Sequence, residues 1–581
     1  MIEFFLKPAT ITRMIVPCDA PFICSACGIN VSQKSFTKVF PLLISLLFLF
    51  SSNAIAQDVV NDDESSSYNL NKPEREEWLR NTNNGLFIHF SVDAPLGVVI
   101  SHTLVGASDD YVKRYFTELP QTFNPKHFDP DEIATLAKLA GMKYIMFTTK
   151  HHSGFCMWDT KTTDFNIMNT PYKKDLLKEM VEATRKAGLQ VGFYFSPEDF
   201  SFLYKHSILI SRDNVVMNDI VKKEFKEFTR KQCEELMTNY GKIDLLFIDG
   251  EPKEIVKETC WKLQPDILIT RGALKTPEQM LPGVTINEPW LSCITMGTAW
   301  QYQPTNERYK SGTKLIELLI EARSKGGSLL LNIGPKPNGA MAQEQEDRLR
   351  EMGAWYFINK EAVDSVRPWV ITNEKNTWFT SSVDKKKVYA FVTDAATWKE
   401  GERRSFTFHS IKGNKETKVS VLGQNSIIQE YKPGKDVSCK HWQTDTGLVV
   451  SVVKAQRIYD DHRWPNPVVV KMENVSAAIE PLQVATVDAK PSATNVALTG
   501  KVYNHSTATP IRAFFLYRPY HGQTEDLYAG PWLRSKNAVV DDKGNFKTTI
   551  NGLKKEQRYE YKAVVEYSRI EISGDEKVWT Q

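Results

Sequence analysis

Four short apolar runs in this 581-residue chain end in polar residues whose types could do chemistry. They are Gly85-Leu86-Phe87-Ile88-His89, Phe147-Thr148-Thr149-Lys150-His151-His152-Ser153-Gly154-Phe155, Gly192-Phe193-Tyr194-Phe195-Ser196 and Leu245-Leu246-Phe247-Ile248-Asp249-Gly250. A carboxylate that follows four apolar residues and precedes glycine, as Asp249 does, can be held rigidly at a strand end and still reach a substrate. Taken alone, an Asp-Gly pair also reads as a turn or a helix N-cap. His89, His151 and His152 offer hydrogen bonds or metal ligands. A His-His dipeptide points its rings apart, however, and no nearby carboxylate completes a site, so no metal and no cofactor are expected.

Strand ends need strands, and the chain supplies them in a regular pattern. From Asn84 to about Gly339 a short run rich in Phe, Ile and Val is followed by a polar turn and then a segment of helical period. Strands are predicted at 86–90, 143–148, 190–195, 244–248, 267–270 and 329–333. Helices are predicted at 131–139, 174–187, 223–240 and 313–324, closed by Gly141, Gly188, Gly241 and Gly326. Such alternation means a parallel sheet. No glycine-rich phosphate loop follows any strand, so a (β/α)8-type barrel over residues 75–368 fits better than a doubly wound sheet. After Pro368-Trp369 the texture becomes short alternating strands, at 387–392, 418–422, 448–453 and 468–472, which predicts a β-sandwich over 369–485. A linker around 489–494 then leads to a second all-β unit, 490–581, similar to a fibronectin type III module, with strands at 496–503, 511–517 and 559–567.

The formal charge is +3, from 73 Lys and Arg against 70 Asp and Glu, which gives no reason to invoke nucleic acid or an anionic membrane as partner. Lys34 and Lys38 precede an apolar run at 39–50 and an Ala54-Ile55-Ala56 cleavage pattern, so residues 1–56 read as leader and signal peptide of a secreted or periplasmic protein. The run is too short for a permanent membrane span. Cleavage would remove Cys18, Cys24 and Cys27. The remaining Cys156, Cys233, Cys260, Cys293 and Cys439 are odd in number and scattered, which predicts buried thiols instead of a disulfide framework.

Six pieces in fixed order resemble glycoside hydrolase family 29, the α-L-fucosidases, over roughly residues 75–480. They are the Gly85 to His89 start; Lys150-His151-His152 with Gly154-Phe155 and Trp158-Asp159; the strand ending in Asp249; Thr276-Pro277-Glu278; residues 290–302 with Cys293, Thr295, Trp300 and Tyr302 in register; and the stretch from Lys325 to Pro335. The resemblance implies exo-acting hydrolysis of terminal α-L-fucose from a fucosylated glycan. Asp249 matches the family's nucleophile, and Glu278 a position that supplies the acid/base in part of the family, with Glu288 in reserve. Retaining chemistry needs two such carboxyls about 5 to 5.5 Å apart, one ionised and one protonated. By the same resemblance His89, His151 and His152 bind fucose hydroxyls, Arg271 steadies the nucleophile, Tyr194 and Trp300 wall the pocket with Trp300 near the C6 methyl, and Trp158 and Asp109 are further substrate contacts. Asp109-Asp110-Tyr111 stands where many relatives have a Glu-Trp pair; Phe90, Ser153 and Leu291 also depart from the pattern, Leu291 standing where many relatives carry Glu. These departures motivate two other readings: a fucose-binding protein with weakened catalysis, and the same mechanism on L-galactosides.

Overall fold

The computed structural model describes residues 68–212, 215–305, 307–425, 436–455, 465–492, 495–505, 511–520, 531–567 and 570–580; the leader and signal segment read at 1–56 lies outside them. Seven parallel strands alternate with helices. In chain order they are α1 (Pro73–Asn81), β1 (Asn84–Ile88), α2 (Asp109–Thr117), α3 (Pro130–Leu139), β2 (Tyr144–Lys150), α4 (Leu176–Lys186), β3 (Gln190–Phe195), α5 (Asp219–Asn239), β4 (Leu245–Ile248), α6 (Lys253–Leu263), β5 (Leu268–Ile269), β6 (Leu291–Thr295), α7 (Gly312–Ser324), β7 (Ser328–Ile333) and α8 (Gln343–Asn359). Among the described residues no helix is long and apolar enough to cross a membrane.

The strands are buried on both faces, which is why they read as near-continuous apolar runs and not as alternation. Side chains cap the helices that pack over them: Asp129, Asp175 and Ser311 accept from the backbone N–H groups of Glu132, Lys178 and Lys314. The sheet order is β5-β4-β3-β2-β1-β7-β6, and Leu86 of β1 aligns with both Ile145 of β2 and Leu331 of β7. Inside the curl, Phe87, Met146, Tyr194, Phe247, Leu291 and Leu330 belong to a cluster separate from the one under the helices.

The two edges of this sheet are joined by one stretch of chain. Leu268 and Leu245 pair at the β5 edge, and a few residues later the chain runs parallel to β6 at the other edge. There the N–H groups of Leu291 and Cys293 donate to the carbonyls of Lys275 (3.3 Å) and Pro277 (3.0 Å), and Gln279 N–H donates to Cys293 O at 2.9 Å. Strand β6 is absent from the sequence-based expectation because Ser292, Cys293 and Thr295 interrupt its apolar character.

Beyond residue 366 the chain is antiparallel β. A five-stranded sheet contains Arg367–Glu374, Thr377–Ser381, Lys387–Val392, Lys418–Val421 and Val468–Glu473, and a three-stranded sheet contains Arg403–Phe408, Lys440–Thr444 and Gly447–Val453. The expected linker at 489–494 is corrected: Gln483–Pro491 is a strand paired antiparallel with Asn495–Tyr503, its Val484 and Thr486 buried at period two. Buried apolar residues from Trp369 to Trp579 form one cluster.

At the N-terminal ends of the parallel strands, fully buried Arg323 gathers five carbonyls. Its Nε donates to Val363 O (2.9 Å), Nη1 to Thr82 O (3.0 Å) and Gly327 O (2.5 Å), and Nη2 to Arg80 O (3.0 Å) and Val366 O (3.4 Å). Removing the donors strands those carbonyls away from water, at about 1 to 3 kcal/mol each where nothing replaces them. Arg323→Met should therefore lower stability by about 3 kcal/mol or more in urea unfolding. A variant as stable as the parent would show that water takes over the five bonds.

Candidate active site

The C-terminal ends of the strands bring most of the expected residues together. His89 follows β1, His151 and His152 follow β2, Tyr194 lies near the end of β3, and Asp249 follows β4. Arg271 comes just after β5, and Glu278 stands on the stretch paired with β6, bridged to Cys293. Asp249 is not a helix cap: α6 starts after Pro252, with no side-chain cap bond. Its neighbour Gly250 has φ 104°, and a Cβ there would lie 2.5 Å from Glu198 Oε1, so only glycine leaves the turn intact.

The Asp249 carboxylate has three polar neighbours. The Tyr194 hydroxyl donates to Oδ2 at 2.7 Å, Arg271 Nη1 is 3.5 Å from Oδ1, and His152 Nε2 is 3.6 Å from Oδ2. The same Arg271 nitrogen is 2.9 Å from Glu278 Oε2. Burial by itself would push the Asp249 carboxyl up; His152, Arg271 and the Tyr194 hydroxyl outweigh it and bring it down to about 2. Burial also pulls the His152 imidazole down to about 3, so at neutral pH the ring carries no charge. Arg271 and Tyr194 are then what stabilise the anion.

The histidines are neutral binders with fixed orientation. His152 Nδ1 lies 2.7 Å from Ser196 Oγ and 3.2 Å from Glu198 Oε2, and Glu198 also accepts from Arg212 Nε at 3.1 Å. Carboxylates only accept, and one faces each nitrogen of this ring, Glu198 the closer at Nδ1 and Asp249 at Nε2, so the neutral imidazole is held between them. His89 Nδ1 is 2.6 Å from Asn332 Oδ1, and burial lowers His89 to about 4. His151 Nδ1 is 2.9 Å from Ser101 Oγ, its ring stacks on Tyr194 at 5.4 Å, and burial holds it well below its ordinary value. Ser101 is in turn pinned by its own N–H, which donates to Asp93 Oδ2 at 2.7 Å.

Sequence reasoning missed His102, Glu198 and Arg212. The His102 ring is 5.5 Å from that of His152 and 6.1 Å from that of His151. Glu198 stands three residues past the end of β3, Arg212 follows in the loop before α5, and His102 opens a short 3-10 helix, His102–Leu104; only the fold brings them to the histidines. Trp300 is half-buried, with its ring 4.9 Å from that of His89 and 6.0 Å from that of Phe87. One expectation needs correction. Trp158 is fully buried in the outer core and its indole N–H donates to Glu235 at 2.9 Å, because the chain turns back after Gly154. Asp109 is exposed at the first position of α2. The reserve carboxylate Glu288 is 73% exposed and 3.5 Å from Lys275, outside the grouping around Asp249.

The reasoning against a metal also changes. The His151 and His152 rings do not diverge widely, with centroids 4.2 Å apart, and ligand atoms of His151, His152 and Asp249 lie within 4.8 Å of one another. The donor set fits a cation poorly all the same, because the Asp249 carboxylate already faces the Arg271 guanidinium and the Tyr194 hydroxyl.

The family model described as Alpha-L-fucosidase matches residues 51–361. A putative alpha-L-fucosidase of Caenorhabditis elegans is 25% identical over 456 residues, covering 67% of this chain and 90% of that protein. Among solved structures, alpha-L-fucosidase isoenzyme 1 from Paenibacillus thiaminolyticus is 26% identical with a TM-score of 0.55, covering 69% of this chain and 98% of that one. An alpha-L-fucosidase from Bacteroides thetaiotaomicron, 23% identical, shares the fold at a TM-score of 0.57, covering 71% and 97%. These matches make the chain a glycoside hydrolase. Within that class, the chain belongs to the α-L-fucosidase family.

Because the Tyr194 hydroxyl stabilises only the ionised carboxyl, Tyr194→Phe should raise the Asp249 carboxyl by about 1 unit. Side-chain 13C NMR titration of aspartate in the unliganded protein checks this, and an unmoved value would assign the anion to Arg271 alone.

Proposed function

We propose that this enzyme releases terminal α-L-fucose from oligosaccharides or glycoconjugates by double displacement, with Asp249 as nucleophile and Glu278 as general acid/base. The sharing of Arg271 Nη1 carries the mechanism. Two oxygens 3.5 and 2.9 Å from one nitrogen can be no farther apart than those lengths combined, about 6.4 Å. Retaining pairs stand about 5 to 5.5 Å apart, and inverting pairs about 6.5 to 9.5 Å, to admit a water. Asp249 attacks the anomeric carbon as the glycosidic C–O bond breaks, and Glu278 gives its proton to the departing oxygen. Water then adds to the same carbon and gives its proton to Glu278, and the Asp249 carboxylate leaves. The low-lying Asp249 carboxyl suits the first role. Glu278, 35% exposed against 21% for Asp249, can exchange its proton with solvent.

His89, His151 and His152 bind the sugar hydroxyls, and Trp300 beside Phe87 faces the C6 methyl; such a wall separates fucose from its 6-hydroxy relative by only about 1 to 3 kcal/mol. Leu291, one motive for expecting weakened catalysis beside the altered Asp109-Asp110-Tyr111 segment, is fully buried at the first position of β6, two residues before the Cys293 that bridges Glu278. We read residues 75–368 as a (β/α)8-type barrel with 275–279 in the closing position, followed by a β-sandwich and, from Gln483 on, a fibronectin type III-like unit. The apolar run at 39–50 directs the protein to the periplasm or outside the cell.

Trapping with a 2-fluorinated fucosyl fluoride should label the peptide that contains Asp249. Glu278→Ala should lower turnover of an alkyl fucoside about 10²- to 10⁴-fold, with azide rescue on an activated substrate, whereas Glu288→Ala stays near the parent. A label elsewhere, or rescue only at Glu288, reassigns the pair.

A further inference from the structure

The chain that carries Glu278 is supported from outside the barrel as well as from within it. After Glu278 it turns at Gln279, φ 56°, where the Gln279 side-chain oxygen accepts from the N–H and hydroxyl of Thr295, each at 3.2 Å. It then runs outward through Leu281 and Gly283 to Ile286, whose N–H donates to Lys325 O at 3.3 Å. At Gly283 it meets the C-terminal all-β region. A Cβ on Gly283 would lie 2.4 Å from Asp575 Oδ1 and 3.6 Å from the Cα of Ala485.

That contact surface is rigid. Asp575 is 7% exposed; its carboxylate accepts from Thr486 N–H at 3.2 Å, its carbonyl accepts from Thr486 Oγ1 at 2.6 Å, and Thr486 Oγ1 accepts from Ala563 N–H at 3.0 Å. Where Ile286 docks, Lys325 is 2% exposed and paired with Glu321 at 2.6 Å. The loop is thus held at the end of α7 and at a hydrogen-bonded corner of the C-terminal sheets, the latter contact five positions from Glu278.

We propose that the C-terminal all-β region is part of the catalytic apparatus: Asp575 and Ala485, packed on Gly283, are positioning residues that set where the Glu278 carboxyl stands relative to the departing oxygen. This rests on Glu278 being the acid. A misplaced acid harms only departures that need a proton, whereas loss of folded protein harms all departures alike.

The test uses the full chain, with active enzyme counted by the fluorinated trapping reagent, and compares a dinitrophenyl fucoside, whose leaving group needs no proton, with an alkyl fucoside, whose leaving group does. Gly283 does not have a positive φ, so alanine there tests the collision with Asp575 and not the backbone. Gly283→Ala should cut kcat/KM on the alkyl fucoside about tenfold more than on the dinitrophenyl fucoside, a selective loss of about 1.4 kcal/mol. Adding Asp575→Ala opens the space and should restore most of that selective loss. Equal effects on both substrates, no effect, or a double variant no better than the single overturns the inference. Glu278→Ala run alongside separates the two readings: if it too fails to discriminate between the substrates, the acid assignment falls first.

Discussion

One guanidinium between two carboxylates sets the terms for the rest of this structure. Arg271 reaches Asp249 and Glu278 with the same nitrogen, so neither acid can move without the other sensing it. Burial alone would push the Asp249 carboxyl toward its neutral form. With the arginine present, Asp249 stays ionised despite its burial. The curled sheet explains why the cation can be so placed: Arg271 leaves from β5, Asp249 from the adjacent β4, and Glu278 from the stretch paired with β6. Strand pairing and electrostatics are therefore one arrangement.

Beside this charged centre stand three uncharged rings. His89, His151 and His152 are all driven toward the neutral form by burial, and the first two are oriented by Asn332 and Ser101. Neutral rings present one donor and one acceptor each, which matches hydroxyl groups that also do both. A cluster of protonated histidines would instead compete with Arg271 for Asp249 and favour anions over sugars.

Much of the fold was legible because parallel strands buried on both faces leave unbroken apolar runs: Gln190–Phe195 has the bounds expected of it, as does the antiparallel strand Lys387–Val392. The approach to strand β6 was hidden by Ser292, Cys293 and Thr295, whose polar groups are satisfied inside the barrel wall. For the site, strand-end position picked out His89, His151, His152 and Asp249, and family resemblance added Arg271, Glu278 and Trp300. Neither signal reaches Glu198, Arg212 or His102, since nothing local marks a residue that meets its partner tens of positions away. Trp158 shows the converse error: nearness in sequence to His152 is not nearness in space once the chain doubles back.

The pairing of residues 275–279 with β6 leaves the ten residues between Gln279 and Trp290 outside the barrel's hydrogen-bond ladder. The sugar side of the pocket is fixed by strands that cannot change length without losing register. The departing side hangs instead on contacts made outside that ladder, Gly283 against Asp575 among them. A change of length in that span would alter aglycone preference and the standing of the Glu278 carboxyl together, while leaving the grip on the monosaccharide untouched.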